Sequence, residues 1–357
     1  MPTIHTPSVS ATLRLQFGEY RIDVESNSLR LAARFQTYFK RYLAVKPGAA
    51  DARLNAVVGT PEYDAGKMQV WSRPSTPNRT PKESYYDSRG KRYILKNRTR
   101  VLIALGPGTA SITGALEENA NQVINLIGTM FGLSLLDQGY AMVHASSVVE
   151  RLGGGKASVF LGNSGSGKSS LALQIIEQGG FDFLSNDRVL MRADKDGVQV
   201  FGLPKKPRVN PGTLMSSASL SRLVARPRRR IYEQLPREEL WQLEEKTDVD
   251  VEQELGAGSR LSARLGRVYA LEWRPGGEGL GERELDPDGA FAALRVTMKD
   301  FGPYDLRAGE RDPLPQLRRI ARMVPFAAVT GRADPKGFAV KFTQGSERDN
   351  GQGPRLV

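Results

Sequence analysis

Eight consecutive residues, Gly162-Asn163-Ser164-Gly165-Ser166-Gly167-Lys168-Ser169, fit G-x-x-x-x-G-K-[ST] at every fixed position. This spacing suits the capture of a polyphosphate. The glycines let the backbone turn with its N–H groups facing inward, which makes a concave anion site. A helix starting at Lys168, with Ser170 in its first turn, adds the positive end of its dipole. Lys168 would put a point charge on the β and γ phosphates of a nucleoside triphosphate such as ATP. The Ser169 hydroxyl is a hard oxygen ligand suited to Mg²⁺. A glycine-rich turn can match the pattern by chance. Here the apolar run 157–161 reads as a buried strand and the segment after Lys168 reads as a helix, which is the setting the motif needs.

The next strand-like run, Phe181-Asp182-Phe183-Leu184, leads straight into Ser185-Asn186-Asp187. Ligand sites in α/β proteins form at the carboxyl ends of strands. Asp187 follows Lys168 by 19 residues, so one helix and one short strand separate them. It is placed to hold Mg²⁺ opposite Ser169; the alternative is an aspartate that only starts a turn with Arg188. His144 lies in Met142-Val143-His144-Ala145-Ser146, on the strand before the loop. It is either a satisfied core residue or an acid–base group, and spacing does not separate the two. The other histidine, His5, is near the N-terminus. Lys205, Lys206 and Arg208 stand in Gly202-Leu203-Pro204-Lys205-Lys206-Pro207-Arg208. A cation here could neutralise a moving phosphoryl group, with Arg208 preferred for its planar fork and Arg260 a weaker candidate. The prolines favour an extended loop, so a solvated surface is the other reading.

The elements that must position these groups follow from the apolar pattern. Leu13, Leu15 and Phe17 alternate with polar residues, as do Tyr20, Ile22 and Val24, around Gly18-Glu19, which reads as a hairpin. Leu31, Phe35, Tyr38, Phe39, Tyr42 and Leu43 share a helical face. Strands are expected at 54–58, 68–71, 92–96, 101–105 and 111–113, with a loop at 73–84. A long apolar helix from about residue 117, a strand at 141–149, the loop, a helix at 169–177 and the strand 181–184 come next. A helix at 317–323 and a strand at 326–329 close the pattern. This divides the chain into an α+β module over 1–115, a phosphate-binding domain over 116–343 and a flexible, glycine-rich tail over 344–357.

The strand with His144, then G-N-S-G-S-G-K-S, a helix ending Gln178-Gly179-Gly180, and then Leu184-Ser185-Asn186-Asp187 resembles the HPr kinase/phosphorylase family. It is also similar to the HPr-kinase-related kinases of bacterial peptide-modification clusters. The resemblance covers 140–192, and more faintly 314–331; residues 1–115 do not match the family's usual N-terminal domain. It implies an α/β fold with a P-loop kinase core of the HPr kinase/phosphoenolpyruvate carboxykinase type, preceded here by the small α+β domain. It implies a phosphotransferase that moves the γ-phosphoryl group of ATP, with Mg²⁺, to a Ser/Thr hydroxyl of a small protein or peptide. Residues 162–170 would hold the nucleotide, Ser169 and Asp187 the metal, and His144, Lys168 and Asp187 would act in the transfer, joined by Arg208 on its own chemistry rather than by the resemblance. The family's strand ends in two aspartates, and Asn186 replaces the first, the proton acceptor and phosphorolysis base. An amide takes no proton at neutral pH. Forward transfer leans on positioning and charge neutralisation and can survive this change. The reverse, phosphorylase reaction is expected to be absent or weak.

Composition narrows the classes. With no cysteine among 357 residues there is no disulfide, no thiolate metal site and no cysteine nucleophile, as suits a reducing, cytoplasmic setting. The N-terminus lacks a basic region followed by an apolar one, so no secretory signal is expected. The most apolar window, 123–136, contains Asn125, Thr129 and Ser134 and is too short to span a bilayer, so no membrane partner is expected. The net charge is +12. Residues 203–232 hold eight basic side chains and no acidic one, whereas 233–254 hold nine acids and two bases, so the blocks either pair or leave a basic patch. Two further readings stay open: a P-loop kinase of a small molecule such as serine, and an ATP-switched protein that grips nucleic acid. No aromatic RNA-binding pattern or recognition helix supports the last. Asp300-Phe301-Gly302 spells a protein-kinase motif without its companion motifs and is a coincidence. Homo-oligomerisation stays open.

Overall fold

The computed structural model describes residues 11–46, 48–72, 80–152, 154–274 and 276–351. His5, residues 73–79 of the expected loop and residues 352–357 of the expected tail lie outside them. The chain is mixed α/β and forms two compact units, Met1–Ser134 with Asp300–Arg311, and Leu135–Lys299 with Asp312–Val357. The expected division falls at 115/116. The observed division keeps most of the long apolar helix in the first unit and returns 300–311 to it.

In the first unit, β1 (Ala11–Phe17) and β2 (Tyr20–Ser26) form the hairpin, and their alternation buries Leu15, Phe17, Ile22 and Val24. Helix α1 (Leu29–Tyr38) starts at Ser28, whose hydroxyl accepts from the Leu31 N–H, an N-cap that satisfies an otherwise orphaned donor. It ends five residues short of the expected Leu43, in one 3-10 turn over Lys40–Tyr42. Strands β3 (Ala52–Val58), β4 (Gln69–Val70), β5 (Glu83–Ser88), β6 (Lys91–Lys96), β7 (Val101–Gly106) and β8 (Thr109–Gly114) complete a sheet of order β1-β2-β3-β8-β7-β6-β5-β4. β5 overlaps the expected loop at 73–84 only in the loop's last two residues and continues through Ser88, where no strand is expected. Its run Tyr85-Tyr86 sits among polar residues, and antiparallel pairing with β6 makes it a strand. Helix α2 (Ala120–Asp137) is the long apolar helix. Among the described residues no helix is long and apolar enough to cross a membrane.

The second unit is built on β9 (Ala141–Val143), β10 (Ala145–Glu150), β11 (Lys156–Leu161), helix α3 (Lys168–Gln178), β12 (Phe181–Asn186), β13 (Val189–Asp194) and β14 (Gly197–Gly202). A two-stranded ribbon of β15 (Arg208–Val209) and β16 (Thr247–Asp248) brackets short helices α4 (Pro211–Met215), α5 (Arg226–Gln234) and α6 (Arg237–Gln242), and α7 (Val251–Leu255) follows it. Then come β17 (Ser262–Leu271), β18 (Leu280–Leu285), α8 (Pro287–Val296), α9 (Leu314–Met323), β19 (Phe326–Gly331) and α10 (Pro335–Gly351). The central order is β12-β10-β11-β17, and β17 also pairs with β14 and β19. Both faces of the sheet are covered. One side packs α3 residues Leu171, Ile175 and Ile176 with Phe338, and the other packs Leu294, Leu317 and Ile320 against Val159 and Val268. That explains why β11 reads as a continuous apolar run. Residues 344–351 continue α10, so the tail expected to be loose is helical over that stretch.

The start of β12 is fastened by a buried carboxylate. Asp182 accepts from Arg151 Nε and Arg260 Nε, each at 2.8 Å, and from the Gly258 N–H at 2.8 Å. Burial pushes this carboxyl up, but the hydrogen bonds from Arg260, Arg151 and Gly258 together hold it below the ordinary range. Asp182→Ala is expected to cost about 2 kcal/mol, because the Gly258 amide loses its acceptor while both guanidiniums can still reach water. Because the folded pKa is depressed, the contribution is present above the unfolded value of 3.8 and is lost as pH falls through the folded one. Urea unfolding should therefore separate wild type from Asp182→Ala at pH 7, and the gap should shrink toward pH 2.

Candidate functional site

The loop from Gly162 to Gly167 joins β11 to α3. Gly167, the N-cap of α3, has φ 84°, and a Cβ there would meet Pro335 Cγ at 3.3 Å, so conformation and close approach both call for glycine. Ser166 donates its N–H to Asn163 O at 3.2 Å, and Trp273 Nε1 donates to Ser166 O at 2.8 Å, which holds the loop from outside. The first intrahelical bond of α3 runs from Leu171 N to Gly167 O, at 2.8 Å. The amides of Lys168, Ser169 and Ser170 therefore belong to the unpaired first turn, where an anion is favoured. The Ser170 hydroxyl faces inward to Thr213 Oγ1 at 2.8 Å, so its backbone N–H is the group left for a phosphate.

Lys168 folds back over this loop. Its Nζ donates to Gly162 O at 2.8 Å and Asn163 O at 2.6 Å, and Ser146 Oγ anchors its backbone by donating to Lys168 O at 2.7 Å. Burial lowers its ammonium from 10.5 to about 8; Asp187 opposes the shift and Lys299 adds to it. The charge is thus poised, without a carboxylate held in contact, beside a ring of amides.

The structure corrects the expected single strand at 141–149. β9 and β10 are separate, and His144 stands at the break, its N–H donating to Thr297 O at 2.7 Å. The strands that pair with them, β12 and β13, part at the same level. Val143 pairs with Val189 and Ser146 with Asn186, so one antiparallel register continues on both sides of a splayed gap that holds His144 and Asp187. Asp187 takes φ 91° there, a backbone cost of about 1–3 kcal/mol that a non-glycine residue bears only where its surroundings fix it. His144 Nε2 lies 3.5 Å from Asp187 Oδ1, and Arg188 Nε lies 3.9 Å from Oδ2. Burial lowers His144 below its ordinary 6.5, Lys168 and Lys299 push it the same way, and Asp187 opposes them. A neutral imidazole can accept a proton.

Asn186 links the two sides of the site by donating from Nδ2 to Ser169 Oγ at 3.2 Å. Its Oδ1, the Ser169 hydroxyl and the Asp187 carboxylate are all hard oxygen donors, the kind Mg²⁺ takes. Among the described residues no group of three His, Cys, Asp or Glu side chains could hold a metal. One carboxylate and one hydroxyl are a donor set that suits Mg²⁺ only where phosphate oxygens and water complete its shell.

Arg208 does not behave as expected. Its Nε lies 2.7 Å from Asp248 Oδ1 and its Nη2 donates to Lys246 O at 3.3 Å, within the β15–β16 ribbon. Arg260 is on Asp182, at the opposite end of β12 from Asp187. The cations whose fields reach Asp187 are instead Lys168, Arg188 and Lys205. Lys299, Trp273, Ser146 and Thr297 went unnoticed in the sequence, since no local motif marks them.

β10 and β12 lie on one side of β11, and β17 and β19 on the other. On that second side a cavity of about 1090 Å³ opens from Gly162–Ser166, lined by Trp273, Arg274, Arg283, Thr330 and the α8 residues Ala293 and Val296.

No family model matches the chain, and no curated protein matches it. Among solved structures it is similar to the Hpr(Ser) kinase/phosphatase from Coxiella burnetii, at 11% identity over 59% of this chain and 99% of that one, with a TM-score of 0.30. The similarity is distant.

Proposed function

We propose that this chain is an ATP- and Mg²⁺-dependent phosphotransferase with a P-loop kinase core, acting on a Ser/Thr hydroxyl of a small protein or peptide in the cytoplasm. The observation that carries the reading is the meeting of two groups. A glycine-rich loop with Lys168 folded across it stands against a strand end where Asn186 touches Ser169 and Asp187 faces His144. The polyphosphate lies in the loop, on the amides of 162–170 and the Lys168 ammonium. Ser169 and Asp187 hold Mg²⁺, which when bound offsets the charge of the phosphate oxygens. The nucleoside extends into the cavity on the β17 side, which leaves the β10–β12 side for the acceptor.

The acceptor hydroxyl oxygen attacks the γ phosphorus, a new O–P bond forms, the bond to the β–γ bridging oxygen breaks, and ADP leaves. The hydroxyl proton passes to the His144 imidazole, neutral at pH 7, because Asn186 cannot take it. Incubation with γ-labelled ATP, Mg²⁺ and small proteins encoded by neighbouring genes is expected to label a serine or threonine on one of them. Label on free serine alone would replace this acceptor class with a small molecule. Nucleotide binding with no acceptor, together with salt-steep affinity for nucleic acid, would replace it with a switch.

A further inference from the structure

Three basic residues follow β14 in sequence, and the fold treats them differently. Lys206 Nζ pairs with Asp250 at 2.7 Å and Arg208 Nε with Asp248 at 2.7 Å, so both are neutralised by the segment that forms β16 and caps α7. Lys205 has no hydrogen-bond or ion-pair partner for its ammonium among the described residues, although the side chain is partly buried. Its position is set from both sides. A Cβ on Gly202 would stand 2.1 Å from Leu184 O and 3.1 Å from Ser185 Cβ, so the end of β14 lies hard against the residues that lead into Asp187. Buried Pro204 and Pro207 bracket Lys205, and its N–H donates to Leu203 O at 2.7 Å in a tight turn.

The surroundings are short of negative charge. Asp187 is the carboxylate whose field reaches Lys205, Lys168 and His144, while Arg188, Lys246 and Arg208 repel Lys205 and Lys299 repels Lys168 and His144. Burial is the chief cause that lowers the Lys205 ammonium. A desolvated cation with cations around it is costly unless an anion joins it. The anion that the neighbouring loop is built to receive is a phosphate.

We propose that Lys205 binds the transferring phosphoryl group together with Lys168, taking the role that sequence alone assigns to Arg208. The proposal rests on the phosphotransferase reading and adds a specific catalytic residue to it. In the transfer, charge spreads over the three oxygens of the moving group, and a second ammonium there stabilises that state more than bound ATP or ADP.

The test uses the full chain and ADP with aluminium fluoride, a mimic of the planar phosphoryl group, in Mg²⁺. Lys205→Met is expected to lose about 100-fold in affinity for ADP with aluminium fluoride and in ATP turnover, while affinity for ADP alone changes little. Lys205→Arg should recover much of the mimic's affinity, and Lys206→Met, whose partner is Asp250, should lose neither. A Lys205→Met protein that binds ADP with aluminium fluoride as wild type does overturns the proposal, and so does one in which affinity for ADP alone falls equally. If Lys205→Met does not fold, the same comparison is made with Lys205→Gln. Wild-type protein that binds no nucleotide would instead remove the phosphotransferase reading, and this proposal with it.

Discussion

Lys168→Ala is expected to lower ATP turnover by at least about 10²- to 10³-fold, the scale for losing one charged donor at a developing phosphoryl charge. Nucleotide affinity should fall with it, while the fold persists. Persistence has a physical reason. The ammonium lies among Gly162 O, Asn163 O and Ser166 Oγ with no carboxylate in contact, and burial lowers it to about 8. A lysine whose folded pKa lies below the unfolded one is held charged in the fold at a cost, which offsets the bonds to Gly162 O and Asn163 O that alanine gives up. Thermal unfolding of nucleotide-free Lys168→Ala should therefore stay close to that of wild type. The same shift gives a pH dependence with a definite sign. A polyphosphate binds the protonated amine, so wild-type affinity for ATP should be nearly constant from pH 6 to 7 and fall as pH rises through about 8. Lys168→Ala should lack that fall. Calorimetric titration of both proteins across this range checks the point, and turnover retained by Lys168→Ala would remove the loop from the chemistry.

What could be read from the chain depended on how local the determining contacts are. The loop 162–169 and helix α3 are marked by neighbouring residues, by glycines at the positive φ values of their own turn and by an apolar strand directly before them. Asp187 was within reach because one helix and one short strand carry the chain from Ser169 to it. The break at His144 was not. A strand pattern runs through Ala141–Glu150, and the splay appears only because Asp187 and Arg188 interrupt the segment that pairs with it. Arg208 looked the better cation by chemistry of type, but its partner Asp248 arrives from the far side of three helices. Lys205 shares that candidacy in the sequence, and only the fold separates the two, by pressing Gly202 against Leu184 and leaving Asp248 to Arg208. Trp273 and Lys299 reach the site through sheet order, as neighbours of β11 and β9, which no spacing in the sequence records.

Asp187→Asn is expected to abolish most Mg²⁺-dependent turnover, again by about 10²-fold or more, and to move the Mg²⁺ requirement to higher concentration. The substitution tests charge with little else disturbed. Asp187 sits at φ 91°, where most side chains are strained, and asparagine is the residue that best shares aspartate's tolerance of positive φ. Asp187→Ala would mix loss of the ligand with strain in the turn between β12 and β13. Affinity for ADP measured without Mg²⁺ should hold or rise, because removing a carboxylate beside Lys168 leaves the loop more positive. His144 should respond too. Burial keeps its pKa low and Asp187 is the group that pulls it up, so in Asp187→Asn the imidazole should titrate lower than in wild type, observable by NMR of this histidine. The two readouts separate the roles of the carboxylate. A lowered His144 pKa with an unaltered Mg²⁺ titration would leave Asp187 as a neighbour of the histidine and take the metal from it. A shifted Mg²⁺ titration together with a lowered His144 pKa would make one side chain responsible for both, as the gap between the two broken strands places it.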